Sequence, residues 1–200
     1  LADSLLEKTP LDPANLAKQF VAWYNNRPPD VGIHTATVLR EIALGCAWQT
    51  AAAAAHQAHP HSAGNGAVMR CWPVALAHWD NLDALLRDSR LQSDVTHAHP
   101  ECLAASAFIN AAIHFLLAGA TPREAIQQAL AASAPPPALR DAVLAAPKKA
   151  RNELPNTGWV RHTVESAVWG LLTTRSFNEA VIHVVNLGND ADTAGAVVGA

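Results

Sequence analysis

Near one end of the chain, Gly188-Asn189-Asp190-Ala191-Asp192-Thr193 places two carboxylates and a hydroxyl within four residues. All are oxygen ligands, which suit Mg²⁺, Mn²⁺ or Ca²⁺ better than zinc. On a regular helix two carboxylates two residues apart point in different directions, but on an irregular turn they can converge. Gly188, Gly195 and the small Ala191, Ala194 and Ala196 would let backbone and cation approach closely. An Asp192 helix cap with Asp190 in solvent accounts for the same residues. Two known patterns fail. An EF-hand needs an oxygen ligand where Ala194 stands, and the phosphatase pattern DxDxT needs its Thr one residue later.

A second group is Gly64-Asn65-Gly66-Ala67-Val68-Met69-Arg70. Glycines around a polar residue ahead of a helix offer backbone N–H groups to a phosphate or pyrophosphate. An ordinary Asn-Gly turn is the plainer alternative. A third group is Thr96-His97-Ala98-His99-Pro100, in which either His could bind a ligand or serve the structure. His56, His59 and His61 imitate metal-ligand spacing but lack matching Cys or carboxylates, so a surface loop is the expected reading.

The elements that would hold these groups read as helices. Half of the 200 residues are hydrophobic, only 16% are charged, and alanine is abundant. No stretch alternates in the strand manner. Asp12-Pro13 predicts a helix start, with Leu16, Phe20, Trp23 and Tyr24 as its buried stripe. Residues 25–32 form a loop, and Thr35 starts the next helix. Residues 56–66 read as a polar loop, with a helix following from Ala67. Asn81–Arg90 is short and amphipathic, and Pro100 opens a long apolar helix that Gly119 ends. Thr121-Pro122-Arg123-Glu124 and Ser176-Phe177-Asn178-Glu179 both read as capping boxes. Helices near 138–150 and 159–173 complete a single all-α bundle with function on its loops.

The formal net charge is −3, and no basic block with interleaved aromatics occurs, so nucleic-acid binding lacks electrostatic support. No apolar run of ~18 residues escapes polar interruption, so no membrane span is expected. Three scattered cysteines without a CxxC pair read as reduced, buried thiols in a cytoplasmic protein. Leu1–Lys8 looks like the last turns of a helix already under way, and Ala194–Ala200 has no stop signal, so both ends read as cuts through a longer protein.

In order and spacing, the segment 64–70, then Ser93 with Thr96-His97, then Asn186–Thr193 resemble the ADP-ribosylglycohydrolase family, closest to its bacterial, dinitrogenase reductase-activating branch. Pro28-Pro29-Asp30-Val31-Gly32 also matches a family loop, and the resemblance spans nearly the whole chain. It implies an all-α orthogonal bundle with a pair of Mg²⁺ or Mn²⁺ ions. It implies an enzyme that removes ADP-ribose from a modified protein side chain or a related ADP-ribosyl compound. By position, Asp190, Asp192 and Thr193 would be metal ligands, and Asp30 and Asp192 catalytic carboxylates. Gly64, Asn65, Gly66, Ala67 and Met69 would wrap the diphosphate and ribose, His97 would contact ADP-ribose, and Trp159 would stack on adenine. A core aromatic on the 159–173 helix is the other reading of Trp159. Departures exist. Asn189 stands where the family usually has Gly, and Ile33-His34 replaces a more usual polar pair. The family's Gly-Asp-Ala-Leu-Gly-type segment and Thr-Asp-Asp-Thr motif, which supply the other side of both metals, do not occur in the 200 residues. The competing reading is therefore a non-catalytic ADP-ribose-binding or structural homologue.

Overall fold

The computed structural model describes residues 1–200, and helices account for nearly all its regular structure. In chain order these are α1 (Ala2–Glu7), α2 (Pro13–Asn25), α3 (Ile33–Ala43), α4 (Trp48–Ala58), α5 (Pro73–Ala77), α6 (Leu82–Asp94), α7 (Pro100–Leu117), α8 (Pro122–Ser133), α9 (Pro137–Ala145), α10 (Val160–Thr173), α11 (Phe177–Val185) and α12 (Ala191–Val198). The only extended pairing is an isolated antiparallel bridge between Gly64 and Trp159.

The centre is α7, which packs against α5, α6, α8 and α10. Its sequence is apolar almost all round, as a helix enclosed by others requires. It is long and apolar enough to cross a membrane, yet most of it is buried against protein. Phe108 is fully buried in the largest core cluster with Val164, Ala167 and Val168 of α10. Truncating it to Ala would cost about 3–5 kcal/mol. One polar link crosses this core: Asn110 Nδ2 donates to Ser89 Oγ on α6 (2.8 Å) and to the Cys71 carbonyl (3.1 Å). A second cluster joins Leu5, Leu16, Phe20 and Leu39 from the first three helices, and Leu11 between α1 and α2, with Val74 and Val95. Buried Asp88 ties it down, accepting from the Leu11 N–H at 2.9 Å, Arg87 Nε at 2.9 Å and His78 Nε2 at 2.7 Å. A third small cluster packs Val38 of α3 against Ala51, Ala52 and Ala55 of α4.

Several helix ends follow local chemistry. Asp12 Oδ1 accepts from the Ala14 and Asn15 amides, and Thr121 with Glu124 completes a reciprocal capping box. Others differ from the sequence reading. Trp23 is exposed on α2, outside the stripe of Leu16 and Phe20. α3 begins at Ile33, because the Gly32 carbonyl accepts from Ala36 and closes the first turn two residues before Thr35. The alanine run carries α4 to Ala58, so His56 lies on a helix. Ala67 opens only a 3₁₀ turn at Val68–Arg70, and the α-helix waits for Pro73. α6 continues to Asp94, and α9 stops at Ala145 because Pro147 has no N–H to donate. Ser176 caps α11, but Glu179 accepts from the Arg175 amide instead of closing the box. Cys71 and Cys102 are buried free thiols, while Cys46 is half-buried.

The C-terminal helices sit unusually close. A Cβ on Gly170 would lie 2.5 Å from Val184 Cγ2, and one on Gly195 2.9 Å from Val185 Cγ2. These two glycines let α10, α11 and α12 meet, and so fix where the turn before α12 lies.

Candidate functional site

In the segment 64–70 the carbonyls are held, while some of the amides are left without an acceptor. The Asn65 N–H donates to the Gly158 carbonyl (3.1 Å), and Val160 donates to the Ala63 carbonyl (2.8 Å), anchoring the strand-like entry. The Asn65 carbonyl accepts from the Val68 (3.1 Å) and Met69 (3.3 Å) amides. Arg70 Nη1 donates to the Gly66 carbonyl (3.1 Å), and Gln92 Nε2 to the Ala67 carbonyl (3.3 Å). The N–H groups of Gly64, Gly66 and Ala67 donate to no protein acceptor. Consecutive free amides in a turn are a concavity for an anion.

The loop rests on His97. This ring is 3% exposed, stacks beside His34 with centroids 4.8 Å apart, and lies beneath Gly66. A Cβ on Gly66 would come within 2.9 Å of His97 Cε1 and 3.3 Å of Thr35 Oγ1, so glycine is required there for close approach. Burial, then the neighbouring Arg70 and His34, pushes the imidazole well below its ordinary pKa and keeps it neutral at pH 7. Arg70 Nη2 donates to Thr96 Oγ1 (2.8 Å), which is also within hydrogen-bond distance of His97 Nδ1 (2.8 Å). The other ring nitrogen, Nε2, faces the glycines. The sequence reading gave His97 a ligand contact. The structure places it mainly as the floor of the loop.

The turn at 188–193 approaches from the other side. Gly188 (φ 77°) and Asn189 (φ 52°) are both left-handed. Asn adopts this region more readily than most residues, so it stands here in place of Gly at modest strain. Asp190 occupies the N-cap position of α12 without capping it. Instead, Asn65 Nδ2 donates to Asp190 Oδ2, and also to Thr163 Oγ1 (2.8 Å), so one side chain joins the loop, α10 and the turn. Asn156 Nδ2 steadies the turn by donating to the Gly188 carbonyl (2.7 Å). Asp192 makes no hydrogen bond or ion pair and lies in the first turn of α12, so the Asp192-cap alternative does not hold. Thr193 Oγ1 faces Met69 Sδ at 3.8 Å. Asp190, Thr193, Asn65 and Met69 thus form one neighbourhood, although more than a hundred residues separate the two segments.

Asp30 is exposed in the loop before α3, whose Thr35 and His34 touch Gly66 and His97. Trp159 is the N-cap of α10 and 37% exposed, so it is not a core aromatic on that helix. Its indole Nε1 donates to Glu101 Oε2 (3.1 Å), and Arg161 Cζ sits 5.7 Å from the ring centroid. Glu101, at the start of α7, is buried and holds both. The bridge from Trp159 to Gly64 brings this aromatic beside the loop.

Divalent cations can be tested against these donors. Asp190, Asp192 and Thr193 are all-oxygen and fit a hard ion by type. Their number is that of a partial shell, because no group of three or more His, Cys, Asp or Glu side chains comes together anywhere in the chain. Asp30 does not join the other two carboxylates in such a group, and neither do His56, His59 and His61. Gln92, Asn156 and Glu101 were not singled out from the sequence, and Arg70 was read only as the end of the 64–70 motif. Each acts through a tertiary partner that linear spacing does not display.

The chain matches the ADP-ribosylglycohydrolase family model over residues 1–200. It is 29% identical to an ADP-ribosylarginine hydrolase of Serratia proteamaculans (strain 568), covering all of this chain and 55% of that protein. It is 31% identical to an ADP-ribosyl-(dinitrogen reductase) glycohydrolase of Rhodospirillum rubrum, covering all of this chain and 63% of the relative. A solved ADP-ribosylglycohydrolase-related protein complex superimposes with a TM-score of 0.75 at 30% identity, over 99% of this chain and 65% of that one. The chain therefore spans little more than half to two thirds of the length of these proteins.

Proposed function

The chain belongs to the ADP-ribosylglycohydrolase family, and from that premise we propose that its site serves hydrolysis of the bond between ADP-ribose and a modified side chain or small ADP-ribosyl compound. The observation that carries the reading is the Asn65–Asp190 hydrogen bond, which joins an anion-ready loop to an oxygen-rich turn. A diphosphate and a reacting ribose are covalently linked, so their subsites must adjoin. In this proposal the free amides of Gly64 and Gly66 take the diphosphate, with Ala67 fully buried behind them and Met69 at the loop's exposed edge. Trp159 offers a half-open indole face to adenine, and His97 Nε2 supports the loop from below.

Asp190, Asp192 and Thr193 would hold Mg²⁺ or Mn²⁺ as one wall of a two-ion site. Such ions supply polarisation of water and orientation of the ribose diol when bound. Water adds to the ribose C1″, the bond to the acceptor breaks, and the acceptor leaves with a proton. Exposed Asp30 is the candidate carboxylate for moving that proton. The free thiols fit a reducing compartment, and the proposal includes a cytoplasmic location. A second reading, ADP-ribose binding without turnover, is favoured by the two-carboxylate count of the turn. One assay separates them: with Mg²⁺ or Mn²⁺, the first reading expects ADP-ribose release from ADP-ribosylarginine. Binding of ADP-ribose without release supports the second, and absence of both defeats the two together.

A further inference from the structure

Arg70 is half-buried, and its guanidinium forms no ion pair with any carboxylate. Four of its five N–H groups go instead to neutral acceptors: Nε to Gln92 Oε1 (3.2 Å), Nη1 to the Gly66 carbonyl (3.1 Å), and Nη2 to the Gln92 carbonyl (3.1 Å) and Thr96 Oγ1 (2.8 Å). Its Cζ lies 4.2 Å from the Phe20 ring centroid. Buried charges are ordinarily paired, because desolvation costs several kcal/mol per ion. The same structure pairs Asp88 fully. Burial lowers the Arg70 pKa to about 10, which still leaves it charged at pH 7.

The Gly66 bond has a directional consequence. In a planar trans peptide the carbonyl and the following N–H point opposite ways. Drawing the Gly66 carbonyl toward Arg70 therefore turns the Ala67 N–H away from it. The Asn65 carbonyl, held by Val68 and Met69, turns the Gly66 N–H in the same manner. Neither amide has a protein acceptor, but Ala67 is fully buried, so the Gly66 amide is the one open to a ligand.

We infer that Arg70 is the positioning residue of the anion subsite: it fixes the Gly66 carbonyl, and with it the course of the loop, and lends the loop an uncompensated positive charge, for which a ligand diphosphate is the missing counter-charge. This rests on the hydrolase reading for the identity of the ligand, but not for its charge. Arg70 acts through the loop backbone and touches no ligand itself.

Calorimetry with three probes tests it: inorganic pyrophosphate, ADP-ribose and uncharged adenosine. Arg70→Met should weaken pyrophosphate and ADP-ribose about 100-fold and adenosine less than about threefold, since the loop's brace and its positive charge matter only to the anions. Gln92→Glu keeps the fork occupied and supplies the counter-charge internally. It should weaken both anions about tenfold with adenosine unchanged, and it decides the matter if Arg70→Met does not fold. Equal losses for ADP-ribose and adenosine, or no loss in either variant, would overturn the inference. Wild-type protein that binds pyrophosphate but not ADP-ribose defeats the hydrolase reading alone. Binding of neither defeats both.

Discussion

The loop at 64–70 and the turn at 188–193 face each other and are held in opposite ways. In the loop, the carbonyls of Asn65, Gly66 and Ala67 all have donors, His97 fills the space beneath, and Arg70 and Gln92 brace it from behind. In the turn, backbone conformation does most of the holding, and Asp192 is left without a partner. The difference follows from what each would bind. Amides recognise a diphosphate only if they are aimed beforehand, whereas carboxylates that bind a cation must keep their lone pairs free.

The comparison can be broken most forcefully at Asp192. Because it has no protein partner, Asp192→Ala should lower ADP-ribose release by about 10³-fold or more while the melting temperature stays within about 2 °C. A stability loss of several degrees would show a structural role. Next is Gly66→Ala, whose Cβ would press on a buried, immobile ring 2.9 Å away. It should cost about 1–3 kcal/mol of stability in denaturant titration and weaken ADP-ribose binding. Unchanged stability would mean the loop is softer than its contacts indicate. Asn65→Ala cuts the bond between the two regions and leaves Thr163 Oγ1 and Asp190 Oδ2 without their donor. About 1–2 kcal/mol of stability should go with it, with Asp190 freed rather than removed.

The smallest effect lies outside both regions. Burial works against ionised Asp88, but hydrogen bonds from Arg87, the Leu11 amide and His78 outweigh it and hold its carboxyl below the ordinary value. A depressed folded pKa means the stabilisation is complete above about pH 4, the unfolded value, and fades as pH falls through the lower folded value. Asp88→Asn should therefore reduce stability at pH 7 and flatten the acid limb of the stability curve. A parallel curve for the variant would remove Asp88 from the acid transition.

Much of the fold was legible because its signals are local. Asp12 caps the helix it precedes, Thr121 and Glu124 close a box across one turn, and Pro100 and Gly119 bracket α7. What stayed hidden depends on tertiary partners. Nothing in the linear sequence shows that Gly32 closes a turn two residues before Thr35, or that Pro147 confines residues 146–148 to a 3₁₀ turn. In the site, the residue types of Asn65, Asp190, Asp192 and Thr193 were readable, but the bond joining Asn65 to Asp190 was not. Trp159 looked as much like a core residue as a surface one until Glu101 was seen to hold its indole at the loop. Arg70 was read only as the end of the 64–70 motif, and its contacts with Phe20, Gln92 and Thr96 show what it holds.

The central claim is that loop and turn form one site, and the most direct test is the linkage between their ligands. ADP-ribose affinity should be measured with and without Mg²⁺ or Mn²⁺, in wild-type protein and in Asp192→Ala. If the subsites adjoin, the cation should raise wild-type affinity about tenfold or more, and Asp192→Ala should bind as wild type does without cation. Affinity that ignores the cation in wild type, or that still rises with it in Asp192→Ala, would contradict the account.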